Sequence, residues 1–201
     1  TATGNHLWAE KYDRDFKDIF DIQDEISLKI LKSLQMKLVG GTGMNPCARG
    51  TDNVGAYLKF LQAAHFFNIG TVESLYLARQ MCQEAIELDP DYGAAYGALA
   101  ETYLSELAFC LSKSPKQSVT EAYELARKAL NVSNTCPFSR TVMGDVYMYM
   151  GQYDKSVEEM KAAIAMDTNW ADGYVHLASS LRDWNEAIEL IEKALRLNPL
   201  P

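Results

Sequence analysis

A short phrase that recurs along the chain constrains its fold more than any other feature. The letters AIELDP at residues 85–90 return as ALRLNP at residues 194–199, and each phrase has an alanine five residues before a proline. Because proline cannot continue a helix, each phrase predicts a helix end. Alanines in matching positions also occur at Ala129 and Ala163, so the four alanines are 44, 34 and 31 residues apart. This spacing predicts an array of repeats with a unit of 34 residues, one insertion and one deletion.

The residues that precede these alanines repeat as well. Small or apolar residues stand seven and three positions before each alanine, which places them on one helical face where a neighbouring helix must approach closely. They are Ala78 and Cys82, Ala122 and Ala126, Ser156 and Met160, and Ala187 and Ile191. The helix before each phrase follows a second pattern, W-x-x-L-G-x-x-Y, with varying fidelity. Its copies are Lys59, Gln62, Ala63 and Phe66; Tyr96, Leu99, Ala100 and Tyr103; Arg140, Met143, Gly144 and Tyr147; and Tyr174, Leu177, Ala178 and Leu181.

On this period and these two patterns, residues 55–199 resemble the tetratricopeptide-repeat family. The resemblance implies an all-α solenoid of about four helix-turn-helix units. Gly151 and Tyr153 stand where the family places the turn between the two helices of a unit. The insertion falls in residues 106–119 and predicts a longer helix pair or an added loop. The deletion predicts a tight turn at residues 183–185.

The amino-terminal part of the chain falls outside the repeat and divides into three segments. Residues 1–14 have the aromatic spacing of a short strand. Residues 15–38 predict one long helix, which we expect to cap the first repeat because its apolar stripe must cover another surface. That stripe consists of Ile19, Ile22, Ile26, Ile30 and Leu34. Residues 39–54 carry clustered glycines and predict a linker.

A second resemblance concerns the same amino-terminal part. The letters TGNHLWAEKYDRDFKDIFDIQDEI, followed by ARGTDNVGAY, are similar to a junction found in bacterial multidomain signalling proteins. In that family a TolB-amino-terminal-like α/β domain precedes this helix, and tetratricopeptide repeats follow it. The output module is a class III adenylate/guanylate cyclase or a winged-helix transcription regulator. The resemblance implies that residues 1–14 end a preceding α/β domain and that the catalytic residues of a cyclase lie outside this chain.

Charge and composition argue against several classes of partner. The chain has 27 acidic and 19 basic residues with no basic run, so it lacks the basic face that nucleic acid requires. No apolar run reaches the roughly 18 residues of a membrane span. The cysteines form no C-x-x-C pair, which predicts reduced thiols and a cytoplasmic location. They are Cys47, Cys82, Cys110 and Cys136.

The sequence contains no constellation typical of catalysis, metal binding or cofactor binding. The histidines His6, His65 and His176 fall in different elements, and we interpret them as packing or surface residues. The letters GGTGMNP lack the lysine of a phosphate-binding loop and are interpreted as linker. We therefore expect this segment not to be an enzyme and to bind no cofactor. The second resemblance implies that its full-length parent carries an adenylate/guanylate cyclase.

The resemblance to tetratricopeptide repeats implies a binding surface on the inner face of the first helix of each unit. That face is expected to form a concave groove, which binds a peptide or protein segment as a scaffold or sensor. The groove residues that the resemblance implies are Tyr57, Phe60, Ala64, Phe67, Ala94, Glu101, Leu104, Phe138, Thr141, Asp145, Met148, Val175 and Ser179. Core packing is an equally good interpretation of the aromatic members. The carboxylates of Glu101, Asp145 and Asp172 favour a neutral-apolar or basic ligand.

Two other functions are left open by the sequence. In the first, the chain is the regulatory carboxy-terminal part of a class III nucleotide cyclase. In the second, it is a module for self-association. The partner in the groove would be a separate protein, another domain of the same polypeptide or a second copy.

Overall fold

The computed structural model describes residues 50–133 and 136–198. All of them belong to the second of two compact units of the chain, residues 45–201. The strand expected at residues 1–14 and the helix expected at residues 15–38 lie outside the described residues. So does most of the expected linker.

The described residues form eight α-helices in four consecutive pairs, which confirms the predicted all-α architecture. The first helices of the pairs are α1 (Val54–Ile69), α3 (Gly93–Ala108), α5 (Pro137–Tyr149) and α7 (Ala171–Ser180). The second helices are α2 (Val72–Leu88), α4 (Pro115–Val132), α6 (Tyr153–Met166) and α8 (Trp184–Leu197). None of these helices is both long enough and apolar enough to cross a membrane.

Local capping residues set the helix ends. The Asn53 side chain accepts a hydrogen bond of 3.1 Å from a backbone N–H in the first turn of α1. Gly70 ends that helix with a φ of 70°, a left-handed conformation that glycine adopts without a steric penalty. Gly151 has a φ of 73° between α5 and α6, at the turn that the sequence predicts. Asp183 caps α8 by accepting a hydrogen bond of 2.8 Å from the backbone N–H of Asn185.

The insertion and the deletion are absorbed at helix ends. The insertion adds the loop at residues 109–114 and lengthens α4, which has 18 residues. The deletion shortens α7 to 10 residues. The turn that follows α7 occupies residues 181–183, two residues earlier than predicted, because Asp183 already serves as the cap of α8. Each helix pair still packs against the next one.

The two helices of each pair cross at small side chains. Three of the four repeat alanines have no solvent exposure, and the last, Ala194, is 5% exposed. A Cβ atom on Gly144 would lie 2.7 Å from Cε of Met160 and 3.2 Å from the carbonyl oxygen of Ser156. A larger residue there would therefore displace Met160 or push α5 and α6 apart. The repeat pattern thus marks the positions at which helices approach closely.

The last helix departs from this pattern in its exposure. Ala187 is half-buried and Ile191 is 37% exposed, although their counterparts in α2, α4 and α6 are fully buried. Those three helices are each covered by the first helix of the next pair. Within the described residues no helix follows α8. The periodicity predicts the correct face of α8, but it does not show whether a neighbour covers that face.

Contacts between helices arrange them in two layers. In the layer of first helices, α1 packs against α3, α3 against α5, and α5 against α7. Contacts between the second helices of successive pairs are few or absent. Because the first helices lie closer together, the array curves with the first helices on its inner side. This inner layer is the surface on which the sequence predicts a groove.

The cysteines require one correction. Cys136 is disulfide-bonded, whereas Cys82 is a buried free thiol and Cys110 is an exposed one. The prediction of reduced thiols is therefore wrong for Cys136. That prediction relied on spacing along the sequence, but the fold decides which sulfur atoms come within bonding distance. A cytoplasmic location, which was inferred from reduced thiols, stays a prediction.

The helix crossing can be tested on α6, where Ala163 is fully buried and Glu158 is exposed. An arginine at position 163 must overpack the crossing or bury a charge, so Ala163→Arg should lower the free energy of unfolding by at least ~1–3 kcal/mol. Glu158→Arg is the control and should change it by less than ~0.5 kcal/mol. Urea denaturation followed by circular dichroism measures both. Equal losses of stability would show that the repeat register is wrong.

Candidate functional site

The residues expected to line the groove all lie on first helices, but they differ in solvent access. Six are buried: Tyr57, Phe60, Ala94, Leu104, Thr141 and Asp145. Five are half-buried: Ala64, Phe67, Glu101, Phe138 and Met148. Two are exposed: Val175 and Ser179. Only the half-buried and exposed members offer substantial surface to a partner.

Two of the buried aromatic residues contribute to the core between the first two helix pairs. Tyr57 is 7% exposed and Phe60 is 4% exposed. The Phe60 ring packs edge-on against Tyr92, with ring centroids 5.4 Å apart. Thr141 is also occupied, since its hydroxyl donates a hydrogen bond of 2.8 Å to the carbonyl oxygen of Phe138. These contacts place Tyr57 and Phe60 in the core and leave little of their surface for a ligand.

Three successive first helices bring charged side chains together on the inner layer. Glu101 on α3 and Asp145 on α5 each follow the small residue of a helix crossing, so they occupy equivalent positions in neighbouring pairs. His176 on α7 approaches Asp145, with its Nδ1 atom 3.0 Å from Oδ2 and 3.2 Å from Oδ1. Asp172, also on α7, adds a third carboxylate that acts electrostatically on Glu101 and His176. We call these four residues the acidic centre.

Like the exposed Asp172, Glu101 has a carboxylate without a hydrogen-bond or ion-pair partner among the described residues. Burial raises its pKa to about 7; the positive charge of His176 opposes this rise, and the carboxylates of Asp145 and Asp172 add to it. Within the described part of the chain, Glu101 makes no hydrogen bond or ion pair. Near neutral pH the protonated and ionised forms of this carboxyl are therefore both populated, and a cation close to it would favour the ionised form.

His176 is the cationic member of the centre. Burial lowers its pKa, but the hydrogen bond to Asp145 and the carboxylates of Asp145, Glu101 and Asp172 outweigh that effect and raise the pKa to about 9. At neutral pH the imidazole is protonated and paired with Asp145. With Glu101 ionised, three carboxylates face one imidazolium, so two negative charges are in excess.

The arrangement supports binding through charge, with apolar contacts around it. Phe67 and Met148 are half-buried on the inner layer, and Val175 is 45% exposed. Met148 has a flexible, polarisable thioether that adapts to differently shaped ligands. Across the described ranges, no His, Cys, Asp and Glu side chains are grouped so that they could hold a metal ion.

Sequence reasoning placed Glu101 and Asp145 on the same surface but missed His176. It treated His176 as an isolated packing or surface residue, whereas the structure pairs it with Asp145. The repeat register contains the necessary signal. Ser179 occupies the position in α7 that corresponds to Glu101 and Asp145, and His176 lies one helical turn before Ser179.

The raised pKa of His176 can be measured by NMR. We expect the imidazole to titrate with a midpoint near pH 9 and expect Asp145→Asn to lower that midpoint, because it removes the charge paired with His176. A raised folded-state pKa stabilises the fold fully below the ordinary value of 6.5, and this contribution is lost as the pH rises through about 9. The wild type should therefore lose stability between pH 7 and pH 9 more steeply than His176→Gln. An unchanged midpoint in Asp145→Asn would show that the pair does not form.

A protein-family model matches part of the chain. The tetratricopeptide-repeat model matches residues 139–169, which span most of α5, all of α6 and the turn after it. This segment contains Gly144, Gly151 and the buried Ala163, which are the residues that define a helix crossing and a turn in the structure.

A curated relative is similar over a longer stretch. The chain is 31% identical over 159 residues to a Rhizobium meliloti (strain 1021) protein named "Putative adenylate cyclase 3". The match covers 77% of this chain and 26% of the relative. The chain therefore spans about a quarter of the length of that relative.

A solved structure shares the helix-pair fold. It is the crystal structure of a thermophilic TPR protein from Thermus thermophilus, with a TM-score of 0.61 and 20% sequence identity. The superposition covers 72% of this chain and 74% of that chain. The repeat period, the paired helices and these similarities together show that the chain carries tetratricopeptide repeats, stacked as an all-α solenoid.

Proposed function

We propose that the solenoid is a protein-interaction scaffold and that its inner layer binds a peptide or protein segment through a basic side chain placed at the acidic centre. Stacked helix pairs offer an extended surface rather than a catalytic pocket. The observation that carries the finer proposal is the Glu101 carboxylate. It lacks a hydrogen-bonding partner among the described residues, although Asp145 beside it is paired.

The preference for a basic ligand follows from the charges of the centre. His176 neutralises only one of the three carboxylates, and the remaining repulsion contributes to the raised pKa of Glu101. A lysine or arginine side chain near Glu101 would relieve that repulsion and would complete its hydrogen bonding. A partner's carboxylate at the same place would add to the excess of negative charge. The acidic centre therefore favours a positively charged ligand over a negatively charged one.

The remaining contacts of the ligand are proposed to be apolar. Phe67, Met148 and Val175 supply accessible apolar surface on the same layer. A segment that carries a basic residue among apolar ones would match this combination. Helical and extended segments both bind along surfaces of this kind, with side-chain pockets giving specificity.

A random peptide library tests the charge preference. We expect peptides selected by the wild type to be enriched in lysine or arginine at one position, because Glu101 binds that side chain. Glu101→Gln should remove the enrichment while leaving the fold intact. The control is Glu124→Gln, which changes an exposed glutamate on α4, outside the inner layer. Identical enrichment in the wild type and Glu101→Gln would refute the proposed role of the centre.

The apolar contacts are tested separately with a double variant. Phe67→Ser combined with Met148→Ser should weaken binding of the selected peptides without abolishing cooperative unfolding, since both side chains are only half-buried. Circular dichroism reports the fold, and calorimetric titration with a selected peptide reports the affinity. Loss of folding would assign these side chains to the core. Unchanged affinity in a folded variant would place the ligand elsewhere.

A second candidate function follows from the curated relative. We propose that the chain is the regulatory part of a larger cytoplasmic signalling protein whose output is a class III nucleotide cyclase. The supporting observation is the 31% identity to the relative named as an adenylate cyclase, of which this chain spans 26%. On this proposal, the segment bound by the solenoid belongs to another domain of the same polypeptide. The gene upstream of the codon for Thr1 tests this directly: a cyclase domain there supports it, and a different output domain refutes it.

A further inference from the structure

The outward face of α8 carries an apolar stripe that the groove does not use. The stripe consists of Trp184, Ile188, Ile191 and Leu195, which are 82%, 56%, 37% and 46% exposed. Scattered exposed apolar residues are common on protein surfaces, but four along one face of a 14-residue helix form a contiguous patch. We call these four residues the α8 stripe.

The register of the repeat relates one member of this stripe to buried residues in the other pairs. Ile191 occupies the position of Cys82, Ala126 and Met160, each of which has no solvent exposure. Those residues lie on second helices that the next first helix covers: α3 packs against α2, α5 against α4, and α7 against α6. Ile191 thus lies at a position that is covered in each of the other three pairs.

Positions that face water on a surface helix are usually polar. On this face of α8 they hold a tryptophan, two isoleucines and a leucine instead. Charged residues are available on α8, but they lie on its other faces, as in the exposed ion pair of Glu192 and Arg196. This face of α8 is therefore apolar enough to be buried against another protein surface.

The spacing of the stripe fits pairing with an identical helix. Its members are separated by four, three and four residues, the alternation that forms the contact line of paired helices. The alternation reads the same in both directions. Two antiparallel copies centred between residues 189 and 190 would place Trp184 opposite Leu195 and Ile188 opposite Ile191.

Charge along the helix favours the antiparallel direction. Acidic Asp183 and Glu186 stand at the beginning of α8, and basic Lys193 and Arg196 stand near its end. In the antiparallel alignment Asp183 is level with Arg196 of the second copy, and Glu186 is level with Lys193. A parallel alignment would instead place like charges at the same level, which is unfavourable.

We propose that the α8 stripe binds the α8 stripe of a second copy of this chain, so that two solenoids form a closed, two-fold dimer through antiparallel α8 helices. Such an interface uses the same patch on both subunits and cannot propagate into a fibre. Because α8 belongs to the layer of second helices, the dimer leaves the acidic centre accessible. The dimer does not depend on the function proposed for that centre.

Sedimentation velocity of the 201-residue chain over a wide range of concentrations tests the dimer. We expect the wild type to dimerise and Ile188→Glu to weaken dimerisation by at least about tenfold, because two charges would enter an apolar interface. Leu77→Glu is the matched control: Leu77 on α2 is 42% exposed but lies outside the stripe. Circular dichroism verifies folding, and Trp184→Glu replaces Ile188→Glu should the latter fail to fold. A monomeric wild type, or undiminished dimerisation of the stripe variant, would overturn the proposal.

The direction of pairing is tested by disulfide trapping in a Cys110→Ser background, because Cys110 is an exposed free thiol. Mixing Trp184→Cys with Leu195→Cys should give the mixed disulfide faster than either variant cross-links with itself. Faster self-cross-linking of Trp184→Cys would indicate parallel helices and would overturn the antiparallel arrangement.

Discussion

The close crossing of helices at small side chains is the constraint on which the rest of this structure depends. Three repeat alanines are fully buried, and a single added carbon on Gly144 would collide with Met160. Close approach lets each helix pair bury a continuous apolar surface with few large residues. Since the same contact recurs in four pairs, the stacking direction of the whole array is set by a handful of alanines and glycines.

The acidic centre is a consequence of this stacking. No single helix contains it: His176 on α7 pairs with Asp145 on α5, and both act electrostatically on Glu101 on α3. Burial is the main cause of the raised pKa of Glu101, and the carboxylates of Asp145 and Asp172 add to it. Burial lowers the pKa of His176, but the hydrogen bond to Asp145 and the surrounding carboxylates outweigh it. On this account, the proposed binding site is formed by three successive helix pairs and not by one.

The difference between local features and contacts between distant residues explains what the sequence alone could and could not predict. Spacing predicted the helix crossings and the turn at Gly151, because both are local features of each unit. Solvent access was harder to predict. Tyr57 and Phe60 lie on the expected helix, yet the neighbouring helix pair buries them. His176 was missed because its role depends on a residue 31 positions away, and the disulfide at Cys136 likewise depends on the fold.

The most direct measurement of the central claim is a charge swap between the acidic centre and its ligand. The binding of a peptide selected by the wild type is measured by calorimetry, together with the same peptide in which its basic residue is replaced by glutamate. The account predicts that the glutamate peptide binds the wild type poorly and that Glu101→Lys restores its affinity, because the two opposite charges again face each other. If the glutamate peptide binds Glu101→Lys no better than it binds the wild type, Glu101 does not contact the ligand and the account of the site is wrong.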